Sequence, residues 1–162
     1  MTFNIVSLKR PANGSDVSKF GYDNAKKVQA FHISFPEYKE TPLARLSNLA
    51  KHLGLSDIYI KDESYRFGLN AFKVLGGSFA IGNYIAKKLG MSITDLPYNV
   101  MTSDTIRSKL GLVTFVTATD GNHGRGIAWT ANRLQQKSVV YMPKGSAPER
   151  LKNILALGSE AS

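Results

Sequence analysis

Two stretches of this 162-residue chain combine residue types that do chemistry. The first is Asn70-Ala71-Phe72-Lys73-Val74-Leu75-Gly76-Gly77-Ser78, with a lysine near the start of an apolar helical pattern. An ammonium on such a turn either snorkels to water or loses hydration, and the second outcome favours a neutral amine that attacks carbonyls. Asn70 is the expected N-cap of this helix, its side-chain oxygen taking an N–H that the first turn leaves free. Each glycine of Gly76-Gly77 costs roughly 1 kcal/mol inside a helix, so a neighbour is expected to approach the backbone there. The second stretch is Thr119-Asp120-Gly121-Asn122-His123-Gly124-Arg125-Gly126, lying between an apparent strand and a helix. Backbone N–H groups and the positive end of a helix dipole at such a turn form an anion site. Asp120 reads either as an acid–base group or as an Asx-type cap, Asn122 either as a neutral donor or as a turn former, and His123 either as a contact or as structural.

Taken together, the two stretches resemble the pyridoxal-phosphate enzymes of the tryptophan-synthase-β type, fold type II. Asn-Ala-Phe-Lys before glycines is similar to the segment with the cofactor-binding lysine, and Asp120 to Gly126 is similar to the Ser-x-Gly-Asn-His-Gly-x-Gly loop beside the cofactor ring. The wording Tyr65 to Lys73 and Ala118 to Gly126 looks like the branch acting on 2,3-diaminopropionate rather than the threonine dehydratases. The resemblance runs from about Phe35 onward. It implies that Lys73 holds pyridoxal 5'-phosphate and moves protons at the substrate α-carbon, that Phe72 packs on the ring, and that Asn122 bonds the ring's phenolic oxygen. It also implies that Thr119 and the N–H groups of Gly121 to His123 receive the substrate carboxylate. Asp120 departs from the serine of most dehydratases; as a base it suits a D-configured substrate and a second ammonium. The implied reaction is α,β-elimination of the diamine to pyruvate and ammonia, with a serine/threonine dehydratase-like lyase or a non-catalytic fragment as alternatives.

The elements that must position these residues follow from periodicity. Phe3 to Leu8 is expected as a strand, 23–33 as a helix, and 41–53 as a helix opened by Thr41-Pro42 and lined by Leu43, Leu46, Leu49 and Leu53. Ile58 to Glu63 alternates as a strand; Arg66 follows in a loop and is expected to be solvated. Helices are expected from 70 to 90, around 92–99 and over 103–110. Strand 113–119, helix 124–136, strand 138–142 and helix 148–157 then follow at βαβ spacing, the last opened by a capping box from Ser146 to Glu149. The fold class is therefore α/β, part of a fold type II architecture with a parallel βαβ unit in the C-terminal half. Residues 1–90 read as the start of a large cofactor domain and 91–162 as the start of a small one. A two-stranded parallel sheet leaves an unpaired edge, so the chain reads as incomplete. By resemblance, the glycine-rich phosphate cup, the residue facing the pyridine nitrogen and a second acidic residue lie farther along.

Composition bounds the rest. Hydrophobic residues at 43% and charged residues at 20% are globular values. The absence of cysteine removes disulfides and thiolate metal sites and suits a cytoplasmic protein. His32, His52 and His123 are dispersed, so no metal is expected, and His32 reads as an ordinary buried or semi-exposed histidine rather than a ligand. No signal peptide or membrane span is expected. The charge of +9 is spread over helix faces without a basic-aromatic run, which argues against nucleic acid, and the resemblance implies a small amino-acid substrate. The resemblance implies a homodimer for the full-length protein.

Overall fold

The computed structural model describes residues 16–119 and 121–162. The strand expected over Phe3 to Leu8, and Asp120, lie outside them. A short 3-10 turn at Ser18–Phe20 leads into helix α1, Tyr22–Ile33, which buries Phe31 and His32. Strand β1, Leu43–Arg45, pairs antiparallel with β2, Tyr59–Lys61, and the short helix α2, Ser47–His52, links them. Thr41-Pro42 therefore opens a strand, not the expected helix. Leu43, Leu49 and Leu53 are 63%, 44% and 56% exposed, so the apolar stripe has nothing to bury against. Pairing decides the outcome: the Asp62 N–H donates to the Pro42 carbonyl at 2.9 Å, and proline sits at the strand edge where it has no ladder bond to donate.

Helix α3, Val74–Leu89, begins three residues after the expected start and ends at Gly90, whose φ of 67° is the left-handed stop that the sequence suggested. Asn70 is not its cap. It stands at φ 52°, and Phe67 at 48° and Gly68 at 69° are also left-handed, with Leu69 at φ −94° between them and Asn70. Asparagine tolerates that conformation, and Lys73 stands at the N-cap position instead. A 3-10 turn, Ile93–Asp95, and helix α4, Tyr98–Met101, flank Pro97; α5, Asp104–Leu110, follows, with Ser103 accepting from the Ile106 N–H.

The C-terminal half is strand β3 (Thr114–Ala118), helix α6 (Asn122–Arg133), strand β4 (Lys137–Tyr141), helix α7 (Pro148–Leu155) and strand β5 (Glu160–Ala161). The three strands are parallel in the order β3-β4-β5, so the third strand that topology demands does begin. The capping box does not form. Ala147 is the N-cap because Pro148 holds the residue before it extended, and Ser146 donates instead to the Pro143 carbonyl at 2.8 Å.

Along the ladder, Val116 sits beside Val139 and Ala118 beside Tyr141 on an open face, while Thr117 and Val140 face inward. The inward face meets Ala128 of α6 and Ile154 of α7. The larger core joins Phe31, Phe35, Phe67, Val74, Ile81, Ile85, Met101 and Trp129, and so runs continuously from α1 through α3 to α6. Trp129 lies 4.7 Å from Phe67 and 5.7 Å from Phe35, ring centre to ring centre.

Candidate active site

Two glycine contacts fix α3 against α6. A Cβ added at Gly126 would lie 2.8 Å from the Val74 Cα, and one added at Gly77 would lie 3.0 Å from the Ile127 Cδ1. Gly77 therefore accounts for the expected close approach, whereas Gly76 faces open space. Because Val74 follows Lys73 directly, this backbone contact delivers the start of α3 to the start of α6. Lys73, Gly121, Asn122, Arg125, Arg150 and Asn153 line one cleft of about 280 Å³.

Lys73 and Asn122, over 40 residues apart in the chain, are thus brought together. Lys73 is exposed, so its amine is not stripped of water as the apolar pattern of its helix implied; the apolar side chains of α3 point the other way, into the core. Phe72 is 60% exposed and, like His123, is not among the residues that line the cleft. Thr119 directly follows β3, its N–H donating to the Tyr141 carbonyl at 2.9 Å; its methyl group packs against Gly124, and it is not among the residues that line the cleft.

The first turn of α6 carries no side-chain cap. Its earliest internal bond runs from the Arg125 N–H to the Gly121 carbonyl, and among the described residues the N–H groups of Asn122, His123 and Gly124 have no backbone acceptor. Arg125 approaches the Asn122 side-chain oxygen at 3.5 Å, a long contact, and its Nε is shielded from water with no partner among the described residues. Sequence reasoning missed Arg125, Arg150 and Asn153. Position could have found them, since each lies in a helix that follows a parallel strand, and ligands in such sheets sit beyond the strands' carboxyl ends.

Arg66, expected in solvent, is 6% exposed. Its guanidinium grips Glu63 at 2.8 and 2.9 Å, Thr41 at 3.1 Å and the Lys39 carbonyl at 3.1 Å. That bonding holds the Glu63 carboxyl down to about 2. His32, also in the core, bonds the Val28 carbonyl at 2.8 Å and Ser78 Oγ at 2.9 Å, and burial lowers its pKa. Among the described residues no histidine or carboxylate cluster could hold a metal ion.

An amine, two neutral amides, the N–H groups at the start of α6 and two guanidiniums around one cleft form a donor set suited to an anionic carbonyl compound. The chain belongs to the family of pyridoxal-phosphate dependent enzymes, whose family model matches residues 35–161. The donor set fits that cofactor: an amine for its aldehyde, an amide for a ring oxygen and cations for its phosphate. Within the family, the chain is 49% identical over 154 residues to the diaminopropionate ammonia-lyase of Salmonella typhimurium, across 95% of this chain and 38% of that one. The crystal structure of the Escherichia coli diaminopropionate ammonia-lyase in complex with D-serine superposes with a TM-score of 0.84 at 45% identity, covering 92% of this chain and 37% of that one. The same enzyme in complex with an aminoacrylate-PLP azomethine reaction intermediate gives 0.80 at 45% identity, with 92% and 36% covered. The chain thus spans less than two fifths of the length of the relatives it matches. Among the described residues, no helix is long and apolar enough to cross a membrane.

Proposed function

We propose that this chain works as part of a pyridoxal-phosphate-dependent lyase that converts 2,3-diaminopropionate to pyruvate and two molecules of ammonia. The observation that carries this reading is that Lys73 and Asn122 line one cleft at the open start of α6. Pyridoxal phosphate, when bound, supplies an electron-withdrawing ring that stabilises negative charge at the substrate α-carbon.

The chain's own residues then divide the work. Lys73 holds the cofactor's aldehyde carbon and, once displaced by the substrate amine, exchanges a proton at the α-carbon. Asn122 donates to the ring oxygen without adding charge. Phe72, already exposed beside Lys73, offers a ring face for packing. Thr119 and the N–H groups of Gly121 to His123 receive the α-carboxylate. Asp120, next to Gly121 in sequence, takes the proton of a D-configured substrate and pairs with the second ammonium.

The division at residue 90 belongs to the same reading, with 1–90 opening a large cofactor domain and 91–162 a small one of fold type II. So do a cytoplasmic location and a homodimeric full-length protein.

The test adds pyridoxal phosphate to the chain and follows the visible absorbance of the lysine adduct. A band that Lys73→Ala abolishes supports the reading, and a band that survives the substitution overturns it. In a full-length form, pyruvate release should be faster from D- or L-2,3-diaminopropionate than from threonine; the reverse order would point to a dehydratase.

A further inference from the structure

His32 is 3% exposed and Ser78 0%, and their polar atoms meet between α1 and α3, away from the cleft. The His32 Nδ1 stands 2.8 Å from the Val28 carbonyl, and its Nε2 stands 2.9 Å from Ser78 Oγ and 3.1 Å from the Leu75 carbonyl. A carbonyl only accepts, so the proton of the neutral ring sits on Nδ1 and Nε2 keeps its lone pair. The Ser78 hydroxyl, also 3.1 Å from the Leu75 carbonyl, gives its proton to Nε2, since that nitrogen would otherwise be buried without a donor. Leu75 and Ser78 follow Lys73 closely, at the start of α3. That start has no side-chain cap, and its first internal bond, from the Gly77 N–H to the Lys73 carbonyl, is long at 3.4 Å. It is held from outside: α6 supports one side through the Gly126–Val74 contact, and α1 another, with Phe31 against Gly82 and His32 against Ser78. Among the described residues, Arg66, its charge met by Glu63, is the charged group that bears on the ring; Phe67, Leu75, Ser78 and Phe79 around it are uncharged.

We propose that His32 is a positioning residue for the lysine chemistry: as a neutral ring with its proton on Nδ1, it accepts a hydrogen bond from Ser78 and bolts the first turns of α3, with Lys73 at their start, to α1. An apolar pair could fill the same space but would let the two helices slide, because apolar contact has no direction. A satisfied buried hydrogen bond fixes one register. Since the same turns of α3 also meet α6, that register sets how Lys73 faces Asn122. The role deepens the lyase reading and rests on it for the work Lys73 does, but the bolt itself requires no cofactor.

The experiment follows the 162-residue chain by NMR and by borohydride trapping of pyridoxal 5'-phosphate on its lysines, located by mass spectrometry. At pH 7 the His32 ring is expected as the Nδ1–H tautomer. Ser78→Ala leaves Nε2 facing only the Leu75 carbonyl, so the ring should take up its second proton at a higher pH than in the parent. In Ser78→Ala and in His32→Leu, the nuclear Overhauser contact between Val74 and Gly126 should weaken, and the share of cofactor trapped on Lys73 should fall about ten-fold, the scale of one hydrogen bond. His32→Gln, whose amide oxygen can accept from Ser78, should restore both. Should His32→Leu fail to fold, Ser78→Ala decides, since it removes a single oxygen. A histidine that only stabilises the core would lower the unfolding midpoint in these variants while leaving the Val74–Gly126 contact and the Lys73 share as in the parent; that result overturns the positioning role, as does an Nε2–H tautomer in the parent. If the parent traps no cofactor on Lys73, the lyase reading fails for this chain. A Val74–Gly126 contact that His32→Leu or Ser78→Ala weakens and His32→Gln keeps still supports the bolt in that case.

Discussion

Arg66 is almost wholly buried, and a buried guanidinium is tolerable only when its charge is met. Glu63 meets it with both oxygens, and this bonding holds the Glu63 carboxyl near 2 in the folded chain. The unfolded carboxylate has an ordinary value near 4.3, so the unfolded chain takes up its proton first as pH falls. Glu63 therefore stabilises the fold fully above about pH 5, and that contribution is lost as pH drops toward 2. It is worth at most about 3 kcal/mol. Glu63→Gln should be less stable than the parent at pH 7, with the gap closing between about pH 5 and pH 2; urea unfolding across that window checks it, and a gap independent of pH would show that the pair is not what titrates. The same residues show what the sequence could not display. Arg66 reads as a loop arginine because its partners, Thr41 and the Lys39 carbonyl, lie 25 and 27 residues away and only the folded hairpin brings them near. Lys73 and Asn122 were legible because each carries its chemistry in its immediate neighbours. Arg125 and Arg150 were not, because what joins them is a cleft.

At the level of elements, local signals worked where one helix or strand determines its own ends. Gly90 stops α3, Ser103 caps α5, and the alternation of β3, α6, β4 and α7 follows the spacing of their apolar runs. They failed where a nonlocal pairing competed, as at β1, where Leu43 begins a helical spacing of leucines yet pairs with Lys61. They also failed at Ser146, where the proline two residues later moved the cap. The parallel sheet itself is lopsided. Parallel sheets are ordinarily covered on both faces, but among the described residues only the face carrying Thr117 and Val140 is packed. Val140 is fully buried, whereas Val116 is 62% exposed on the neighbouring strand. Val140→Ala should therefore cost about 2 kcal/mol, and Val116→Lys within about 0.5 kcal/mol, despite equal β propensity at the two sites. Chemical denaturation of the two variants gives the comparison directly; a large loss at Val116 would mean that the open face is covered in solution.

Over the whole molecule, cooperativity depends on how the elements share apolar surface. The division at residue 90 is a sequence boundary, and the packing does not thin out there. Phe31, Phe35 and Phe67 from the first part close around Trp129 from the second, and Val74 lies against the backbone of α6. Separating the two parts would expose most of these rings at once, which makes independent unfolding of either part costly. Trp129 is the chain's single tryptophan, so its fluorescence reports on this junction alone, while far-ultraviolet circular dichroism reports on every helix. The two signals should give coincident urea transitions with one midpoint, as expected of a small single core. A tryptophan transition that precedes the loss of helix would mean that α6 leaves α3 while both stay folded. The start of α6 would then be free to move relative to Lys73, and a cleft that depends on the Gly126–Val74 contact would open and close with it.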